Sequence, residues 1–203
     1  MSAPTTGKQV EFFFDFGSPT SYLAYTQLPK IAAERGAALV WRPVLLGGVF
    51  KATGNQSPVL VALKGVWMWS DMERWARRYG VPLNRNPHFI INTLTLMRIA
   101  VGLQMRQPAQ FLRYVDTMFH AMWVEPCNLG DAAVVGATLQ KAGFDAAALG
   151  ALAADTEVKT KLIDLTDQAV KRGVFGAPTM FVGKDMFFGQ DRLEFVREAL
   201  QAA

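Results

Sequence analysis

The stretch "FFFDFGSPTSYLAY", residues 12 to 25, passes from an aromatic run through Asp15-Phe16-Gly17 into Ser18-Pro19-Thr20-Ser21. Its first part belongs to "QVEFFFDF", residues 9 to 16, which reads as a buried strand. Pro19 then falls at a first helical position, where its missing N–H costs nothing. Tyr22, Leu23, Leu28, Ile31 and Ala32 give the apolar face of a helix over 19–35, which Gly36 closes. A strand that turns directly into a helix leaves unpaired N–H donors at the turn, and the serines around Pro19 are the residues to weigh there.

Outward from this turn, "ALVWRPVLL" (38–46) reads as a second strand with Pro43 at its edge or end, so the chain opens as a right-handed strand-helix-strand unit. The period then changes. Met68, Met72, Trp75 and Tyr79 recur at helical spacing and stop at Gly80; Phe111, Val115, Phe119 and Met122 repeat the pattern; Val134, Ala137 and Thr138 precede a cap at Lys141-Ala142-Gly143. A further helix runs from about Asp155 to Arg172, with Gly173 as its stop. "PTMFVG" (178–183) and "DMFFG" (185–189) form a hairpin about Gly183-Lys184, and a last helix starts near Asp191. The expected organisation is α/β: a discontinuous domain of residues 1–50 and 151–203, interrupted by an all-helical insert over 51–150.

Composition bounds what such a chain does. Of 203 residues 51% are hydrophobic and 19% charged, which excludes disorder and supplies a full core. The net charge of +4 is scattered, with Arg77-Arg78 and Lys171-Arg172 the only adjacent cations, so no nucleic-acid surface is expected. The N-terminal segment has no apolar signal-peptide core, and the most apolar window, 58–69, is broken by Lys64, so a soluble cytoplasmic protein without a membrane span is expected. Cys127 is the only cysteine, which rules out an internal disulfide or a Cys-x-x-Cys redox pair; Cys127 reads as an inert thiol.

Three segments are candidates for chemistry, and each also has a structural reading. Ser18 caps its helix, and the same geometry suits a hydroxyl donating to a bound anion; neither His88 nor His120 lies in a triad context that would make it a nucleophile. Thr20 and Ser21 read as first-turn filler. In "GVFGAPT" (173–179), Pro178 either separates a helix from a strand or forms a cis bond that turns the backbone of Ala177 outward toward an extended peptide. In "FFGQDRL" (187–193), Asp191 is a natural N-cap, or else Gln190 and Asp191, assisted by Arg192, hold the charged end of a small ligand.

Together these segments resemble the thioredoxin superfamily, in the DsbA-like branch that carries a helical insert. There the turn holds Cys-Pro-x-Cys, and here Ser18-Pro19-Thr20-Ser21 replaces both cysteines, so disulfide chemistry at the turn is excluded. Within the branch, "FDFGSPTSYLA", "FKATGN", "RWARRYGVPL", "GVFGAPTMFVG" and "FFGQDRL" resemble the glutathione-dependent 2-hydroxychromene-2-carboxylate isomerase family, relatives of kappa-class glutathione transferases. The resemblance implies that Ser18 bonds the glutathione sulfur, that Ala177 pairs with the cysteinyl backbone, and that Phe188, Gly189, Gln190 and Asp191 hold the γ-glutamyl end. It also implies that Phe50 and Lys51, with Asn55 and Phe89, meet a small aromatic carboxylate substrate, Lys51 taking the carboxylate; without the resemblance Lys51 reads as a solvated lysine. Apolar surface on the insert, with the resemblance, points to a homodimer. A kappa-like transferase and a non-catalytic peptide-binding module are the rival readings.

Overall fold

In a computed structural model the structure describes residues 7–202. The elements are β1 (Gln9–Phe14), α1 (Pro19–Glu34), β2 (Ala38–Pro43), α2 (Leu46–Thr53), α3 (Ala62–Tyr79), α4 (Leu94–Arg106), α5 (Pro108–Trp123), α6 (Ala132–Lys141), α7 (Ala146–Ala154), α8 (Thr156–Lys171), β3 (Thr179–Val182), β4 (Asp185–Phe188) and α9 (Leu193–Ala202). Short 3-10 turns cover Pro58–Leu60 and Gln190–Arg192. The sheet order is β2-β1-β3-β4, with β1 parallel to β2 and antiparallel to β3. Thus the opening strand-helix-strand unit and the closing hairpin meet along β1, the most aromatic strand. Pro43 is the last residue of an edge strand, where no ladder donor is needed.

Strand alternation assigns the faces. Val10, Phe12 and Phe14 point into the main core with Leu23 and Leu28 of α1, Val196 and Leu200 of α9, and residues of α4 and α5. Phe13 points the other way, onto Val49 of α2, Ala169 of α8 and Phe181 of β3. Each such Phe, withdrawn from water, contributes about 1.5–3 kcal/mol. Glu11 shares the Phe13 side of the pleat, buried yet paired at 2.7 Å with both Arg42 and Arg172, and Arg172 lies 4.1 Å from the Phe181 ring centroid.

From Leu46 to Lys171 every described regular element is helical. Within the helical stretch, α4 and α7 are helices that no segment of the sequence singled out. In α4, Leu96, Met97 and all of residues 99–103 are buried, so apolar residues surround it and no one-sided periodicity marks it; α7 is mostly alanine. α2 begins at Leu46, inside the run read as strand, because Pro43 ends the ladder. Among the described residues no helix is long and apolar enough to cross a membrane.

Candidate active site

The turn after β1 is held from beneath. The buried Asp15 carboxylate accepts the Gly17 N–H through Oδ1 and the Leu46 N–H through Oδ2, both at 2.8 Å, so one side chain joins the turn to α2. The Trp123 indole N–H donates to the Phe16 carbonyl at 2.8 Å, fixing the turn to α5. Burial pushes the Asp15 carboxyl up from its ordinary range, against the lowering effect of its bonds from Leu46, Gly17 and Thr93.

Ser18 is the N-cap of α1, with extended backbone and an Oγ that accepts the Ser21 N–H at 3.0 Å. The capping reading therefore holds, and the hydroxyl has a second engagement. It donates to the Ala177 carbonyl at 2.8 Å, across 159 positions of sequence, in a setting only 4% exposed. Thr20 is no filler: its Oγ1 lies 3.0 Å from Ser18 Oγ and 3.4 Å from the Ala177 carbonyl oxygen. Ser21 Oγ, by contrast, is buried without a hydrogen-bond partner among the described residues.

The Ala177-Pro178 bond is cis. Ala177 is buried, its carbonyl faces Ser18, and its N–H has no partner among the described residues. The Pro178 carbonyl accepts the N–H of Gly189 at 3.0 Å, which brings "FFGQD" alongside. Gly189 has φ +99°, a backbone conformation that a side chain would strain and that glycine adopts freely. The exposed Phe188 ring lies tilted against that of Phe175, 4.6 Å between centroids, and covers Gly176. Gln190 is buried, and its carbonyl accepts the Tyr79 hydroxyl at 2.8 Å.

Asp191 does not cap the last helix. The 3-10 turn over Gln190–Arg192 delays α9 to Leu193, and the exposed Asp191 carboxylate instead pairs with Arg192 at 2.6 Å. Arg192 is accordingly bound to its neighbour, and the pair lies at the end of the Gly189 turn.

The candidates on the helical side are placed less tightly. Phe50 is half-buried on α2; Lys51 is exposed and makes no hydrogen bond or ion pair among the described residues. Asn55 donates through Nδ2 to the Phe175 carbonyl at 2.8 Å, tying the end of α2 to the segment before Ala177. Phe89 packs 5.7 Å from Trp123, the residue that holds Phe16. Asp15 and Asn55 thus suspend α2 beside the Ser18–Ala177 pair. The residues missed in the sequence are Asp15, Thr20, Tyr79 and Trp123; of these only Asp15, a carboxylate set among phenylalanines, carried a local signal.

A DsbA-like thioredoxin domain model matches residues 9–201. The chain is 33% identical to a 2-hydroxychromene-2-carboxylate isomerase of Sphingobium xenophagum, over 95% of this chain and 98% of that protein. It is 29% identical to glutathione S-transferase kappa 1 of Rattus norvegicus, over 92% and 88%. Among solved structures, a 2-hydroxychromene-2-carboxylate isomerase superimposes with a TM-score of 0.83 at 31% identity, covering 96% of this chain and 95% of that one. A probable DsbA oxidoreductase from Streptomyces coelicolor shares the fold at a TM-score of 0.71 and 17% identity, over 96% and 89%. With the thioredoxin-like fold, the serine turn and these matches along almost its whole length, the chain belongs to the DsbA-like thioredoxin family and, within it, to the 2-hydroxychromene-2-carboxylate isomerases.

Proposed function

We propose that the protein is a cytoplasmic, glutathione-dependent isomerase that interconverts 2-hydroxychromene-2-carboxylate and trans-o-hydroxybenzylidenepyruvate in the breakdown of naphthalene-type aromatics. The observation that carries this reading is the buried Ser18 hydroxyl at the head of a 16-residue helix, set against an Ala177 whose N–H has no partner among the described residues. An orphan backbone donor beside a cis proline suits the extended backbone of a peptide-like cofactor. The residues therefore fit glutathione: Ser18 at the sulfur, Ala177 at the cysteinyl backbone, and the Phe188–Asp191 turn at the γ-glutamyl end, where the Asp191 carboxylate suits an ammonium and Arg192 a carboxylate.

Held there, glutathione would supply a thiolate as a reversible nucleophile toward the conjugated carbon of the ring-opened substrate, the same thiolate leaving again once the former double bond has rotated. The chain's part is electrostatic and positional. The N-terminus of α1 presents positive potential and a Thr20 N–H that has no partner among the described residues, which favour an anion over a neutral thiol. Lys51, free of any partner among the described residues, orients the substrate carboxylate, with Phe50 and Phe89 against the aromatic ring.

Ser18→Ala removes the donor and keeps the helix. Glutathione-dependent isomerisation, followed by the absorbance of the substrate, should fall about a hundredfold; an unchanged rate would overturn the assignment. The 29% identity to a kappa-class transferase supports a second reading, conjugation rather than isomerisation. Consumption of 1-chloro-2,4-dinitrobenzene with stoichiometric loss of glutathione would favour it.

A further inference from the structure

Ser18, Thr20 and Ala177 form a hydroxyl–hydroxyl–carbonyl group in which the Ser18 proton is already engaged by the carbonyl. Ser18 Oγ accepts from the Ser21 N–H at 3.0 Å and donates its single proton to the Ala177 carbonyl at 2.8 Å. In that arrangement Ser18 has no proton left for a sulfur atom. If it turned the proton outward alone, the buried Ala177 carbonyl would lose its donor, which is unfavourable. Thr20 can replace that donor. Its Oγ1 stands 3.0 Å from Ser18 Oγ and 3.4 Å from the same carbonyl oxygen, so a small rotation carries its proton from one oxygen to the other.

We propose that Thr20 is a positioning residue for the sulfur: on binding a thiolate, its hydroxyl takes over the Ala177 carbonyl and releases the Ser18 proton to the anion. No covalent bond forms and no proton leaves its own oxygen; two hydroxyl rotors exchange acceptors. The choice of threonine follows from this. At the second position of a helix a side-chain hydroxyl ordinarily faces water, whereas here it is half-buried with two oxygens in reach. Without it, release of the Ser18 proton strands a carbonyl, and the neutral thiol is favoured over the thiolate.

The inference rests on the glutathione reading, and the test separates the two. Thr20→Val keeps shape and removes the proton; Thr20→Ser keeps the proton; Thr20→Ala serves in place of the valine variant should that one fail to fold. Glutathione binding is measured by calorimetry, and the charge on the bound sulfur by the ultraviolet thiolate absorbance as pH is varied. The expected result is that Thr20→Val and Thr20→Ala bind glutathione but titrate its thiol upward by about half to one pH unit, a three- to tenfold fall in thiolate at a fixed acidic pH, and that Thr20→Ser titrates as the parent does. A valine or alanine variant that titrates like the parent, one that loses glutathione altogether, or a serine variant that behaves like valine, overturns the role of Thr20. Failure of the parent protein to bind glutathione overturns the functional reading itself, and the role of Thr20 with it.

Discussion

Asp15 shows how much one buried side chain organises. Its two oxygens hold the serine turn and the first residue of α2, so Ser18, the donor for sulfur that we propose, and the helix of Phe50 and Lys51 share a support. Asp15→Asn leaves one acceptor where two are needed and sets an amide NH2 against a backbone N–H. Urea unfolding should show a loss of about 1–3 kcal/mol at neutral pH. The sign of its pH dependence follows from the raised carboxyl: burial favours the protonated form, so its contribution to folding is full below the ordinary value of 3.8 and is lost as pH rises through the folded value. Because Asn does not titrate, the stability of the variant should lack that falling component, which denaturation at a series of acidic pH values checks. Ser18, Pro178 and Gly189 were legible because caps, prolines and tight turns announce themselves locally. The partners of Asp15 and Thr20 were not, since Leu46 lies 31 positions from the first and Ala177 157 positions from the second.

At the scale of elements, β1 has a charge inside an aromatic strand. Burial tends to raise the Glu11 carboxyl, but hydrogen bonds and ion pairs from Arg172 and Arg42 outweigh it and hold the carboxyl below its ordinary 4.5. The contribution is present above that value and disappears as pH falls through the lower folded value. Glu11→Gln should destabilise the protein by about 1–3 kcal/mol at neutral pH, with the difference from the parent shrinking in acid; thermal unfolding at neutral and acidic pH measures both. The aromatic run, the hairpin glycine and the helix stops made β1, β3, β4, α1, α3 and α8 readable. α4 hid because burial on all sides erases the periodicity on which such reading depends. The delayed start of α9 hid because a 3-10 turn and an N-cap begin with the same residue types.

At the scale of the molecule, Leu63, Val66 and Trp67 form an i, i+3, i+4 stripe on α3 that is 84%, 69% and 61% exposed, continued by Leu60 and Val61. Such a face suits the homodimer that we propose. Light scattering should give a dimer mass for the parent and a monomer mass for the double variant Leu63→Glu, Trp67→Glu; a monomeric parent would remove the proposal. The thioredoxin-like fold was legible in outline since its motifs sit at the two ends of the chain, while the course of the helices between them depended on packing that no single segment records.

The pairing of β1 with β3 also has a consequence for synthesis. β1 leaves the ribosome well before its central partner, residues 179–182. Until that partner is made the nascent chain holds only the parallel β1–β2 pair, with one edge of its aromatic strand open and Ser18 without its carbonyl. A chain that has not yet reached Ala177 lacks the carbonyl that Ser18 engages, so the proposed site comes into being only after the segment leading into the β3–β4 hairpin has been made.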